Sequence, residues 1–194
     1  MTGYGAVDNR PKSGILIGTV IGVALLAVAI GGFVYYQISE QRRLDDVDRP
    51  KLEAEHDALQ TLAGPLRALD AAATPETPPA EFEKSLAEAR AALQAYRAEP
   101  RRTGPLPSGR AWPAQFSATE RAAEEAIEKF GTVATYLQIK QKEARSSSAD
   151  PVVLDSNISN VAEISNEAFL KFAGLLGAIE KQRKAGEWEY AAPR

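Results

Sequence analysis

The sequence predicts an all-α protein, a single N-terminal transmembrane helix followed by an antiparallel four-helix bundle. Three observations carry this reading. Gly14 to Tyr36 is a run of 23 residues without a charge. The apolar residues beyond it recur three and four apart, the spacing of one face of a helix. No stretch shows the alternation of a half-buried strand, and Val152-Val153-Leu154 is too short to make one.

The apolar run comes first. At 1.5 Å per residue it spans about 34 Å, enough for a hydrocarbon core of about 30 Å with some tilt. Tyr35 and Tyr36 close it where an aromatic belt sits at the membrane–water boundary. A cleaved signal peptide is the competing reading, with Arg10 and Lys12 as its basic region and Ala27-Val28-Ala29 as a small-residue cleavage site. Ile30, Phe33 and Val34 continue the run past that site, which favours an uncleaved anchor. Gly14, Gly18 and Gly22 repeat every four residues and Ala29 follows on nearly the same face. Such a strip removes side chains and lets another helix backbone approach closely, for self-association or for docking to another membrane subunit.

Orientation rests on the flanking charges. Arg42, Arg43, Arg49 and Lys51 follow the run, and a strict count of basic residues puts the large domain in the cytoplasm. Arg10 and Lys12 lie closer to the apolar edge and resemble the basic start of a signal anchor, and long domains cross largely regardless of charge. On that ground the C-terminal domain is expected outside the cytoplasm.

Beyond Tyr36 the helices are delimited by their breakers. Residues 1–13 read as a short tail, 14–36 as the membrane helix, 37–49 as a juxtamembrane extension, 50–185 as the bundle and 186–194 as a tail. Pro50 is expected to end the extension, with Asp48 capping a new helix that has Pro50 in its first turn. That helix carries Leu52, Leu59, Leu62, Ala63, Leu66 and Leu69, with Gly64-Pro65 as an expected kink. The next begins near Thr77-Pro78-Pro79, carries Phe82, Leu86, Ala89, Leu93 and Tyr96, and stops before Pro100. Ser117-Ala-Thr-Glu120 has the pattern of a capping box and opens a third, with Ala123, Ile127, Phe130, Ala134, Leu137 and Ala144 on one stripe. The fourth runs from about Asp155 to Ala185, with Ile158, Val161, Phe169, Phe172, Leu176 and Ile179 inward and Gly186 as its stop. Short connections between such helices favour antiparallel neighbours. Alanine supplies 30 of the 158 residues after Tyr36, so helix formation is easy while the core is thin.

Composition excludes much chemistry. The chain has no cysteine, which removes disulfides, thiolate metal sites and thiol catalysis. His56 is the only histidine; it borders the leucine stripe and reads as a buried-edge residue bonded to a neighbour. Glu-x-x-His on two helices, the di-iron bundle pattern, is not present, so neither a metal nor a cofactor is expected. A net charge of −3 gives no basic surface for nucleic acid.

Two segments remain as partner-contact candidates. The loop Glu99–Phe116 exceeds the usual length of bundle connections and holds Arg101, Arg102, Arg110 and Trp112, the residue types of interface anchors. Pro105-Leu-Pro107 is expected to be extended within it. The tail places Trp188 and Tyr190 beyond the last helix, where folding back onto the bundle competes with binding another protein. The sequence thus implies no catalytic residue and an association role: an accessory or scaffold subunit of a bacterial cell-envelope membrane complex, with the inner membrane and neighbouring subunits as partners. The alternative is a tethered sensory or ligand-binding bundle.

Overall fold

The computed structural model describes residues 13–99, 104–144 and 151–191, and only the backbone for 13–21 and 151. Among the described residues there are four helices: α1 (Ser13–Ala71), α2 (Pro79–Ala98), α3 (Ala114–Ala144) and α4 (Pro151–Ala185). The chain divides into two compact units, Met1–Arg43 and Leu44–Arg194.

The described part of the first unit is helix only. Val23, Leu25, Leu26, Val28, Ile30 and Phe33 point to all sides of it and each is more than half exposed. A helix apolar all round has no solvent face, which is the pattern of a membrane span. This part of α1 is long and apolar enough to cross a membrane, with mean hydropathy 1.6 over a window of which nothing is buried.

The second unit is an antiparallel four-helix bundle, and its cross-links fix the direction of each helix. Tyr96, near the end of α2, donates a hydrogen bond to Glu55 near the unit's start on α1. Arg97 pairs with Glu120 at the start of α3, while Gln138 near the end of α3 reaches Glu83 near the start of α2. Lys171 pairs with Glu125 and Lys140 with Asp155, so α3 and α4 also run oppositely. Asn166 bonds Asp70, and Glu180 bonds His56, closing α4 onto α1.

The expected helix break at Pro50 is replaced by one continuous helix, which also runs through Pro65. Each proline removes one backbone bond and costs about 3 kcal/mol in a helix interior. The reason α1 persists is its inner face. Asp45, Asp48, Leu52, Glu55, Leu59, Leu62, Leu66 and Leu69 alternate three and four apart straight through Pro50, and all are buried. Five buried leucines at about 2 kcal/mol each contribute more than the two prolines cost. Asp48 therefore caps nothing; it is an inward residue of an uninterrupted stripe.

The other helices follow their stripes closely. The buried residues of α2 are Phe82, Leu86, Ala89, Leu93 and Tyr96, as its spacing predicts. Pro79 opens it, where its fixed φ suits the first helical position and its missing N–H is no loss. Helix α3 starts at Ala114, one turn before Ser117, so the Ser117–Glu120 pair lies inside the helix and is not its cap. Phe116 in that added turn is buried, and its packing outweighs the local capping signal. Helix α4 begins at Pro151 and ends as expected at Gly186, whose φ is 68°. There the Glu187 N–H bonds the Gln182 carbonyl at 3.2 Å and the Gly186 N–H bonds Arg183 at 3.2 Å, the paired bonds of a Schellman turn. Small residues, Ala89 on α2 and Ala122, Ala123 and Ala126 on α3, sit among Phe82, Phe130 and Phe172 in the core.

Continuity of α1 is testable at Pro50. Pro50→Ala restores an N–H to the Asp46 carbonyl and is expected to raise stability by about 1–3 kcal/mol in denaturant unfolding. A neutral or destabilising effect would mean that the helix restarts there.

Candidate functional site at one end of the bundle

Three segments far apart in sequence meet around two aspartates. Asp45 and Asp48, three residues apart on α1, share one face and are 2% and 0% exposed. Buried carboxylates are costly unless every lone pair finds a donor and the charge finds a partner. The loop before α3 and the tail after α4 supply both.

The loop is folded, not extended as its prolines suggested. Gly109 N–H bonds the Leu106 carbonyl at 2.8 Å, and Leu106 N–H bonds the Arg110 carbonyl at 3.0 Å. Pro107 presets the φ of the first turn position and Gly109, with φ 82°, takes the left-handed one, so Ser108-Gly109 overrides the extended preference of Pro-Leu-Pro. Leu106 is buried in the core and anchors the turn. From it Ser108 donates its N–H to Asp48 Oδ1 at 2.9 Å and its hydroxyl to Asp48 Oδ2 at 2.7 Å. Arg110 donates from Nε to Asp48 at 3.2 Å and from Nη2 to Asp45 at 2.8 Å, one guanidinium bridging both carboxylates.

The tail completes the cluster. The Schellman turn reverses the chain, and Tyr190 donates its hydroxyl to Asp45 at 2.7 Å. Its ring lies under the Arg110 guanidinium, 3.4 Å from the central carbon, a cation–π contact strengthened by desolvation. Burial, then the bond to Asp45, pushes the Tyr190 phenol far above its ordinary value, so it remains the donor. Trp188 is 4% exposed and stacks on Phe116 at 6.0 Å, with Trp112 edge-on to Phe116 at 6.1 Å. Trp112 donates its indole N–H to the Gly104 carbonyl at 3.1 Å, and Gln115 donates to Glu189 at 2.8 Å.

A second polar layer lies about two turns beyond Asp48 on α1. Tyr96 bonds Glu55, and the fully buried His56 sits 3.0 Å from Glu180 and 3.3 Å from Asp57. Hydrogen bonds from Arg183 and Lys184 hold the Glu180 carboxyl down to about 2. A cavity of about 150 Å³ here is lined by Glu55, Tyr96, Arg97, Glu99 and Glu120. Among the described residues, no group of three or more histidine, aspartate or glutamate side chains is arranged to hold a metal ion.

Of the candidates read from sequence, Arg110, Trp112, Trp188 and Tyr190 are brought together, and all four are engaged within the chain. Trp112 alone is bonded only within its own loop and remains partly exposed. Arg101 and Arg102 lie outside the described residues. On α1, Gly22 and Ala29 are exposed, and a Cβ at Gly22 would meet nothing within 4 Å. Gly14 and Gly18 are helical. Asp45 and Ser108 were not singled out by sequence and Asp48 was read only as a helix cap, although the leucine stripe extended back from Leu52 by four and three lands on both aspartates. The chain matches no protein family, and no curated protein or solved structure is similar to it.

Two measurements follow from this geometry. Arg110→Ala leaves two buried carboxylates without their cation and is expected to cost about 3–5 kcal/mol in denaturant unfolding, with partial recovery when Asp45→Asn and Asp48→Asn are added. A loss below about 1 kcal/mol, typical of a surface pair, would mean the cluster is solvated. For Glu180, whose folded carboxyl titrates about 2, the contribution is complete above the ordinary value of about 4.5 and is lost as the pH falls through about 2. The stability difference between wild type and Glu180→Gln should therefore shrink between about pH 4.5 and pH 2; a difference independent of pH would disprove the assignment.

Proposed function

We propose that the protein is a non-enzymatic assembly protein: a single-pass anchor in a bacterial inner membrane that presents a helical bundle, outside the cytoplasm, as an accessory or scaffold subunit of an envelope complex. The observation that carries this is the pairing of two unlike units. One is a helix with apolar side chains on every side, left exposed by the described residues. The other is a bundle whose most elaborate polar cluster joins α1, the loop and the tail to one another.

A buried cluster in which each carboxylate is answered by a donor fixes a surface; it leaves no carboxylate poised for proton transfer to a substrate. The loop and tail then act as a rigid end to the bundle, with Trp112 the partly exposed aromatic at its edge. In the membrane, the Gly14, Gly18, Gly22 and Ala29 face is the proposed contact, because it admits another backbone at close range. Placement outside the cytoplasm follows from the basic Arg10 and Lys12 at the start of the apolar run.

Cross-linking and co-purification from the native membrane test the reading. Wild type is expected to retain a stoichiometric partner that Gly18→Ile loses, with the bundle still folded. Recovery of the wild type alone as a monomer after gentle extraction would overturn it. A reporter fused after Arg194 should be active only outside the cytoplasm.

A further inference from the structure

Two outward stripes flank the junction of α1 and α4. On α1, Asp57, Gln60, Gly64, Arg67 and Ala71 alternate three and four apart, and all are exposed. On α4, Glu163, Glu167, Leu170, Gly174, Gly177 and Lys181 do the same, and all are exposed. This is the spacing of a helix–helix seam. Asp57 and Gln60 both touch His56, which bonds Glu180, so the α1 stripe lies on the side of α4. Among the described residues, four glycines lie inside the helices of the second unit, Gly64, Gly131, Gly174 and Gly177. A Cβ at Gly131 would meet Arg90 at 3.3 Å, while one at any of the other three would meet nothing within 4 Å. A glycine in a helix interior costs about 1 kcal/mol against alanine, and within one copy these three gain no close approach in return. All three lie on the two stripes.

The charges on the stripes carry the argument further. His56 lies level with Glu180 and Asp70 with Asn166, because each pair is bonded across the junction. One step up α1 is one step down the antiparallel α4. Asp57 is therefore level with Ile179, next but one to Lys181, and Arg67 is level with Phe169, between Glu167 and Leu170. Among the described residues, Arg67, Glu163, Glu167 and Lys181 have no ion pair. Asp57 touches His56 with 73% of its side chain still exposed. Read from the loop-and-tail end of the bundle, α1 runs acidic, small, basic, and α4 at the same levels runs basic, small, acidic.

We infer that these stripes are the docking surface for a second copy of the chain, related by a two-fold axis parallel to the bundle, so that α1 of each copy packs against α4 of the other. Such an axis keeps both copies pointing the same way, as two anchors in one bilayer require. It also preserves the levels. Asp57 faces Lys181 of the copy and Arg67 faces Glu167 of the copy, each twice by symmetry. Leu170 of the copy lies over Gly64, and Gly174 and Gly177 of the copy let the turn from Gln60 to Gly64 approach closely. The pairing thus supplies both the counter-charges and the close contact that one copy lacks. It lies wholly within the bundle and is separate from the glycine face in the membrane, and each can fail without the other.

The cysteine-free chain makes the test direct. Full-length Gly64→Cys and Gly174→Cys chains with different tags are mixed in detergent and oxidised; both positions have room for the new side chain. The contact brings them within disulfide reach, and the mixed covalent dimer is expected to form about ten-fold faster than from Gly64→Cys with Ala95→Cys, an exposed position on α2. Arg67→Glu added to the Gly64→Cys chain, or Glu167→Arg added to the Gly174→Cys chain, is each expected to slow the mixed dimer about ten-fold. The two together are expected to restore the rate, because the reversed charges then attract across the contact. The exchange is split between two chains, so a defect inside either one cannot produce the recovery. Equal rates for Gly174→Cys and Ala95→Cys would overturn the proposal, as would failure of the split exchange to restore the rate.

Discussion

The bundle depends on the burial of two like charges. Asp45 and Asp48 occupy inward positions of α1 that a leucine would fill without any penalty. Once they are there, the fold needs a cation and several donors at that spot, and neither neighbouring helix provides them. The Ser108–Arg110 turn and Tyr190 do. A segment that would otherwise be a slack connection and a tail that would otherwise fray thereby become structural. Replacing such a cluster by apolar residues is often neutral or stabilising, so its effect here is to specify where two irregular segments go and not to add stability.

The same stripe explains which parts of the fold were legible in the sequence. Where the inward residues are all apolar, as in Phe82, Leu86, Ala89, Leu93 and Tyr96, the three-and-four spacing reads directly and the buried set matches. In α1 the stripe runs on through Asp48 and Asp45, but acidic residues look like a solvent face, and Pro50 looks like a stop. Both local signals are outweighed by packing that only the folded chain reveals. The Ser117–Glu120 capping pattern misled for the same reason: Phe116, one residue earlier, is buried, and the helix extends to include it. The Schellman stop at Gly186 was legible because it needs only a left-handed residue at a helix end.

Of the site, the residue types were legible and their destinations were not. Arginine and tryptophan in a long loop, and aromatic residues after the last helix, are the composition of an interface anchor. Arg110, Trp188 and Tyr190 meet such an interface within their own chain, against α1 and α3. Whether an aromatic residue finds its partner inside or outside the molecule depends on which surfaces lie within reach, and the tail's path is set by the turn at Gly186 and by Phe116. His56 was read as a buried histidine bonded to a neighbour, and its neighbours Asp57 and Glu180 answer that description.

The Tyr190–Asp45 bond joins residues separated by 145 positions. During synthesis Asp45 emerges early, Arg110 midway and Tyr190 near the last of the described residues. Domains form as units and from the N-terminal side first, yet this end of the bundle cannot close until α4 and the turn at Gly186 have been made. Until then Asp45 lacks its phenol donor and the Phe116 face that Trp188 covers lies open. Sealing of this end of the bundle is therefore a late event in the protein's biosynthesis, and a chain interrupted before Tyr190 would lack the strap that completes it.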